Sequence, residues 1–153
     1  MQVAAALMFW ATAMSLATTT RMVAPFLDRI TDEELDALPY GVVQLDAQGR
    51  VLSYNTAERD NVGCERSPIG EQYFQDVYPS SYAPEFYGRF LEAIDSQSLD
   101  ETFLFTYTCS LQSRRVQVRM YYCVRTATTW IFTAQPDGTP LARVAELPLT
   151  VGR

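Results

Sequence analysis

Any chemistry in this 153-residue chain has to come from carboxylates, phenols, hydroxyls, thiols and guanidinium groups, because the sequence contains no histidine and no lysine. Histidine is the usual general base near neutral pH and the usual protein ligand of haem and zinc. Lysine forms Schiff bases with PLP and retinal and binds phosphate in P-loops. The enzyme classes that depend on these two residues are therefore excluded.

Three cysteines, Cys64, Cys109 and Cys123, supply the thiols. Their odd number and the absence of a C-x-x-C spacing argue against a zinc site or a disulfide framework. A Cys109–Cys123 bridge across adjacent strands stays open, but buried free thiols are favoured. Free thiols indicate a reducing compartment, and we expect a cytoplasmic location.

The composition is that of one folded domain, since 48% of the residues are hydrophobic and 20% are charged. The net charge of −6 argues against a nucleic-acid partner. Residues 2–18 are almost uncharged and rich in Ala, Met and Leu. A signal segment and a membrane-associated segment are two alternative interpretations of these residues. We favour a helical extension over residues 1–30 that buries its apolar face on the domain or in a homodimer.

Local patterns predict helices and a hairpin in the first half of the chain. A capping box at residues 31–34 begins a helix that Pro39 ends. Residues 41–45 and 50–54 are predicted strands joined by a turn at 46–49. Asn55 is predicted to cap a short helix that runs through Glu58.

A longer helix and three strands are predicted in the second half. The helix begins at Pro84, with Phe86, Phe90, Leu91 and Ile94 as its apolar stripe. Strands follow at 103–111, 116–120 and 129–133, with a turn at Gln112 and Ser113 between the first two. This order predicts an α+β fold, a five-stranded antiparallel sheet with short helices on one face and a cavity between them.

Several segments carry a resemblance to a known family. Residues 38–46 and 52–58 resemble the start of a PAS domain, and residues 74–79 and 84–90 are similar to the photoactive yellow protein family in particular. The resemblance covers residues 31–134 and leaves 135–153 as a C-terminal tail. It implies the PAS fold and a sensory role.

The resemblance also places the site residues. The family carries a p-coumaroyl group on a cysteine, as a thioester, directly after the proline that matches Pro79. Ser80 stands at that position, and a serine hydroxyl forms no thioester. We therefore expect no covalently attached chromophore and no other cofactor.

Tyr54 and Glu58 match the pair that hydrogen-bonds the chromophore's phenolate, and burial there would raise the pKa of Glu58. The alternative interpretation is that Tyr54 is only a core aromatic residue and Glu58 only a carboxylate at the start of a helix. Val62 and Cys64 replace the family's supporting threonine and arginine. Cys109 alternates along its predicted strand with the same face as the residues that line the pocket in this family. Its two interpretations are a replacement thiol inside the cavity and a small core residue.

Three functions follow as hypotheses. The first is a sensory domain that binds a small aromatic ligand non-covalently or contacts an unknown downstream protein; the predicted lining is Tyr54, Glu58, Phe74, Phe86, Phe105 and Tyr107. Refilling of that cavity by bulk such as Tyr73 and Tyr78 would count against the ligand. The second is a dimerisation domain without a ligand. The third is an enzyme that uses Glu58 and Tyr54 as an acid–base pair.

Overall fold

A computed structural model describes residues 16, 21, 23–62, 67–109 and 112–141, without the side chains of residues 61, 62, 109 and 112. Most of the predicted extension, Cys64 and the tail beyond residue 141 therefore lie outside the described residues. Within the described part of the chain, no helix is both long and apolar enough to span a membrane.

The first two strands form the predicted hairpin. Strand β1 (Gly41–Leu45) pairs antiparallel with β2 (Val51–Tyr54). The Asp46 carboxylate accepts hydrogen bonds from the backbone N–H groups of Gln48 and Arg50, which fixes the turn between them. Gly49 has a φ of 84°, which glycine adopts without strain.

The last three strands, β3 (Asp100–Cys109), β4 (Gln112–Cys123) and β5 (Thr128–Ala134), form an antiparallel meander. The strand order β2-β1-β5-β4-β3 confirms the predicted five-stranded antiparallel sheet. The predicted turn at Gln112 and Ser113 is wrong, because both residues pair with β3. The strand was predicted to start only at residue 116, because Arg114 and Arg115 interrupt the alternation of apolar residues.

The register excludes a Cys109–Cys123 disulfide. The backbone of Cys109 lies opposite Gln112, at the start of β4, whereas Cys123 ends that strand and lies opposite Thr128. At ~3.3 Å per residue the two cysteines are ~36 Å apart, far beyond the Cα separation that a disulfide allows. Cys123 is a buried free thiol, as predicted.

Among the described residues, three α-helices with defined bounds accompany the sheet, beside short 3₁₀ or π turns at Ala24–Phe26, Tyr73–Val77 and Pro79–Ser81. Helix α1 (Asp32–Asp36) has the predicted capping box between Thr31 and Glu34. Helix α2 (Thr56–Val62) is capped by Asn55, whose Oδ1 accepts from the N–H of Glu58, and it extends one turn beyond the predicted end. Helix α3 (Pro84–Ser96) starts at proline as predicted.

The apolar stripe of α3 needs one correction. Phe86 and Phe90 are buried, but Leu91 is exposed and Ala93 takes the buried position. The 100° rotation per residue puts Ala93 in line with Phe86 and turns Leu91 away from the sheet.

Both faces of the sheet are covered over its central strands, while the outer side of β3 is exposed. On one face an inner core lies under α3 and the turns at residues 73–81. On the other face an outer core packs against β5 and includes Leu16, Val23 and Leu27 from the N-terminal region. All seven residues of β5 are consequently buried.

Candidate functional site

Glu58 is a fully buried carboxyl on the first turn of α2. The Thr133 hydroxyl of β5 donates to its Oε1 at 2.5 Å, and the Tyr78 hydroxyl donates to its Oε2 at 3.1 Å. Burial raises the pKa of Glu58, although the two hydrogen bonds act in the opposite direction. The pKa of Glu58 is therefore raised, as predicted, mainly because the carboxyl is removed from water.

Gly41 allows this carboxyl to lie against the sheet. The residue opposes Thr133 in the β1–β5 ladder, and a Cβ built on Gly41 would overlap both Oε1 of Glu58 and the Thr133 hydroxyl. Only glycine leaves room for the side chain of Glu58 at this point.

Asn55 holds the start of α2 in place. Its Oδ1 accepts from the N–H of Val42 at 2.8 Å, as well as from that of Glu58. Its amide group donates to the carbonyls of Leu35 and Tyr40 at 2.8 and 2.9 Å. One buried side chain therefore joins α1, β1 and α2, and so positions Glu58.

Tyr78 occupies the space between Tyr54 and Glu58. Its hydroxyl lies 2.9 Å from the Tyr54 hydroxyl and 3.1 Å from Glu58 Oε2. Tyr54 and Glu58, predicted as a phenol-binding pair, thus contact a phenol that belongs to the chain itself. The sequence named Tyr78 as bulk that could refill the cavity, but it did not predict the hydrogen bonds of Tyr78 to Tyr54 and Glu58, or the supporting role of Thr133.

The other predicted lining residues come together in the same inner core. Four of them are buried and lie in ring-to-ring contact or close to it: Phe74, Phe86, Phe105 and Tyr107. The rings of Tyr73 and Tyr78 fill the centre, with centroid distances of 5.1 Å between them and 4.7 Å from Tyr78 to Tyr107. A 2.6 Å hydrogen bond joins the hydroxyls of Tyr73 and Tyr107.

These phenols are neutral at physiological pH. Burial is the largest cause of the raised pKa of Tyr73, Tyr78 and Tyr107, and the nearby Glu58 raises each of them further. Burial also raises the pKa of Glu58, so loss of solvent shifts all four acidic groups of the cluster in the same direction. Among the described residues, no cluster of acidic or thiol side chains could hold a metal ion.

Ser80 has a structural partner. Its half-buried hydroxyl accepts from the N–H of Thr108 on β3 at 3.1 Å, while the buried Ser81 hydroxyl donates to the Tyr78 carbonyl at 2.6 Å. Ser80 thus joins the segment that carries Tyr78 to β3, while Ser81 closes a local turn within that segment. The side chains of Val62 and Cys109 lie outside the described residues, as does Cys64.

A surface pocket of about 270 Å³ lies on the solvent side of Tyr54. Its lining combines residues of α1, β2 and the loop before residue 70: Asp32, Leu35, Asp36, Leu52, Ser53, Tyr54 and Ile69. Tyr54 therefore separates this pocket from the buried hydroxyl cluster.

Comparison with known proteins identifies similar chains over the same region. A family described as "PAS fold" matches residues 35–132. The photoactive yellow protein of Halochromatium salexigens is 36% identical over 107 residues, 69% of this chain and 86% of that protein. The corresponding protein of Rhodothalassium salexigens is also 36% identical, over 104 residues, 66% of this chain and 82% of that protein.

A solved structure extends the comparison to the fold. The photoactive yellow protein domain of a sensor histidine kinase from Rhodospirillum centenum superposes with a TM-score of 0.67 at 34% identity. The match covers 73% of this chain and 99% of that domain.

Proposed function

This chain belongs to the PAS fold family, and within it to the photoactive yellow protein type; on that basis we propose a sensory domain whose ligand volume is filled by its own Tyr78 and which signals through contacts with other proteins. Domains of this type act in signalling rather than in catalysis. The observation that carries the proposal is the position of the Tyr78 hydroxyl between Tyr54 and Glu58.

A ligand at this position would have to displace Tyr78. Displacement would expose a buried side chain, at about 2–3 kcal/mol, and break two hydrogen bonds worth about 1 kcal/mol each. A penalty of about 4–5 kcal/mol lowers the affinity of any competing ligand by roughly a thousandfold. The internal tyrosine is therefore the preferred occupant.

Covalent attachment of a p-coumaroyl group is not part of this function. The Ser80 hydroxyl lacks the readily formed thiolate that thioester formation needs. It is also engaged by the N–H of Thr108. We expect the purified protein to have its unmodified sequence mass and only an ultraviolet absorption band.

The proposal is tested by adding p-coumaric acid to matched Tyr78 variants. Tyr78→Ala opens the volume, and we expect p-coumaric acid to raise its Tm by about 5 °C at saturation. Tyr78→Phe keeps the ring, so we expect this variant to respond as weakly as the wild type does. The decisive contrary results are a Tm rise, an added mass or a visible absorption band in the wild-type protein.

One observation favours a second function, the binding of a phenolic acid that replaces Tyr78. The side chains of Tyr54 and Glu58 already hold a phenol hydroxyl, so they are complementary to that group. Tyr78 also lies between two short turns, Tyr73–Val77 and Pro79–Ser81, rather than within a long element. A Tm rise in the wild type that is lost in Glu58→Gln would establish this second function instead.

A further inference from the structure

The solvent side of α3 has a glycine at its centre for which the fold itself gives no reason. A Cβ built on Gly88 would meet no atom within 4 Å, and its backbone has no positive φ. Glycine in a helix interior costs roughly 1 kcal/mol relative to alanine. A bare backbone at this place does, however, let another molecule come close.

An apolar strip runs along one side of Gly88. The ring of Tyr82 is 53% exposed and lies 4.8 Å from that of Tyr87. One turn further along α3, Leu91 is 47% exposed and shares the same side of the helix. Exposed aromatic and aliphatic side chains next to each other are typical of contact surfaces.

An acidic strip runs along the other side. Glu85 and Glu92 lie on that side, three residues before and four residues after Gly88, and Asp95, seven residues after Gly88, lies in line with it; all three are exposed. The guanidinium of Arg89 bonds Glu101 at 2.8 Å and lies 4.1 Å from the centre of the Phe103 ring, and it also donates to the backbone carbonyl of Glu85, so its positive charge lies at the Glu85 end of the strip.

We propose that this surface, the α3 outer face (Tyr82, Tyr87, Gly88, Leu91 and the acidic strip), docks a helix of a partner protein. That helix would carry aliphatic side chains beside arginine or lysine and would cross α3 at Gly88, where the two backbones approach most closely. The inference rests on the proposed signalling through protein contacts. A second copy of this chain does not fit, since acidic strips would meet.

The experiment uses a fluorescent synthetic peptide of about 18 residues, an amphipathic helix of leucine, alanine and arginine. A control peptide has glutamate in place of every arginine. Fluorescence anisotropy is measured with the full chain. We expect the arginine peptide to bind, to weaken as salt is added, and to bind about tenfold more tightly than the glutamate peptide.

Matched variants locate the contact. Leu91→Ser, which removes the apolar contact without adding charge, and Gly88→Leu should each weaken peptide binding about tenfold. Leu104→Ser is the control, because Leu104 is 46% exposed, almost the same as Leu91, but lies on β3 away from this surface. Gly88→Ala should raise the Tm and yet weaken binding, a combination that a purely structural glycine would not produce.

Failure is unambiguous. The docking proposal is overturned if the arginine peptide does not bind, if the glutamate peptide binds equally well, or if Leu91→Ser and Leu104→Ser have equal effects. None of these results bears on the Tyr78 experiment. A wild type that binds p-coumaric acid would overturn the self-filled volume and leave the peptide result to be judged separately.

Discussion

At the scale of single residues, Glu58 is the group whose protonation links the site to stability. Because burial raises its pKa in the folded protein above the ordinary value of 4.5, the folded state keeps a proton that the unfolded chain releases. This contribution is fully present below the unfolded pKa. It is lost as the pH rises through the folded pKa.

We therefore predict that the wild type loses stability from about pH 5 upward, by at most about 1.4 kcal/mol per pH unit. Glu58→Gln cannot titrate, so its stability should stay nearly constant over this range. Urea unfolding at several pH values measures the difference. Parallel curves for the two proteins would show that Glu58 does not titrate as its burial requires.

Gly41 gives a second prediction at this scale. Gly41→Ala should destabilise the fold by about 3 kcal/mol, because the new methyl group overlaps Glu58 and Thr133. Gly88→Ala is the matched control, as its methyl group enters open space. Thermal unfolding of both variants separates the steric effect from the general effect of replacing glycine. Equal Tm values for the two variants would contradict the predicted overlap at Gly41.

At the scale of elements, the Asn55 side chain connects two helices and a strand. Asn55→Ala should cost about 3 kcal/mol or more, because it leaves the buried N–H of Val42 and the carbonyls of Leu35 and Tyr40 without this partner. Thr31→Ala also removes a helix cap, but an exposed one, and should cost about 1 kcal/mol. Chemical denaturation compares the two, and similar losses would refute the connecting role of Asn55.

The secondary-structure elements were predicted from the sequence more successfully than the contacts between them. Turn and cap residues act through neighbours a few positions away, so the hairpin at Asp46 and the start of α3 at Pro84 could be predicted. An inward Tyr78 was only one of the alternatives, and its contacts could not be predicted, because they join it to residues 20 or more positions away, at Glu58 and Tyr107. The partnership of Thr133 with Glu58 spans 75 positions and leaves no local pattern.

At the scale of the whole molecule, the N-terminal region contributes to the outer core. Leu27→Ala should therefore cost about 2–4 kcal/mol, because Leu27 is buried against that face of the sheet. Leu52→Ala is the control, since Leu52 is exposed and should change stability by less than about 0.5 kcal/mol. Urea midpoints measure both, and a neutral Leu27→Ala would mean that this region is dispensable to the fold.

The strand order has a consequence for how the protein is made. β5 is synthesised after the other four strands of this sheet, yet it lies between β1 and β4 at the centre of the sheet. Until residues 128–134 leave the ribosome, the β1–β2 and β3–β4 hairpins cannot join, and each exposes an unpaired edge. A nascent chain that stalls just before this strand is thus two unconnected hairpins, the form most in need of a chaperone.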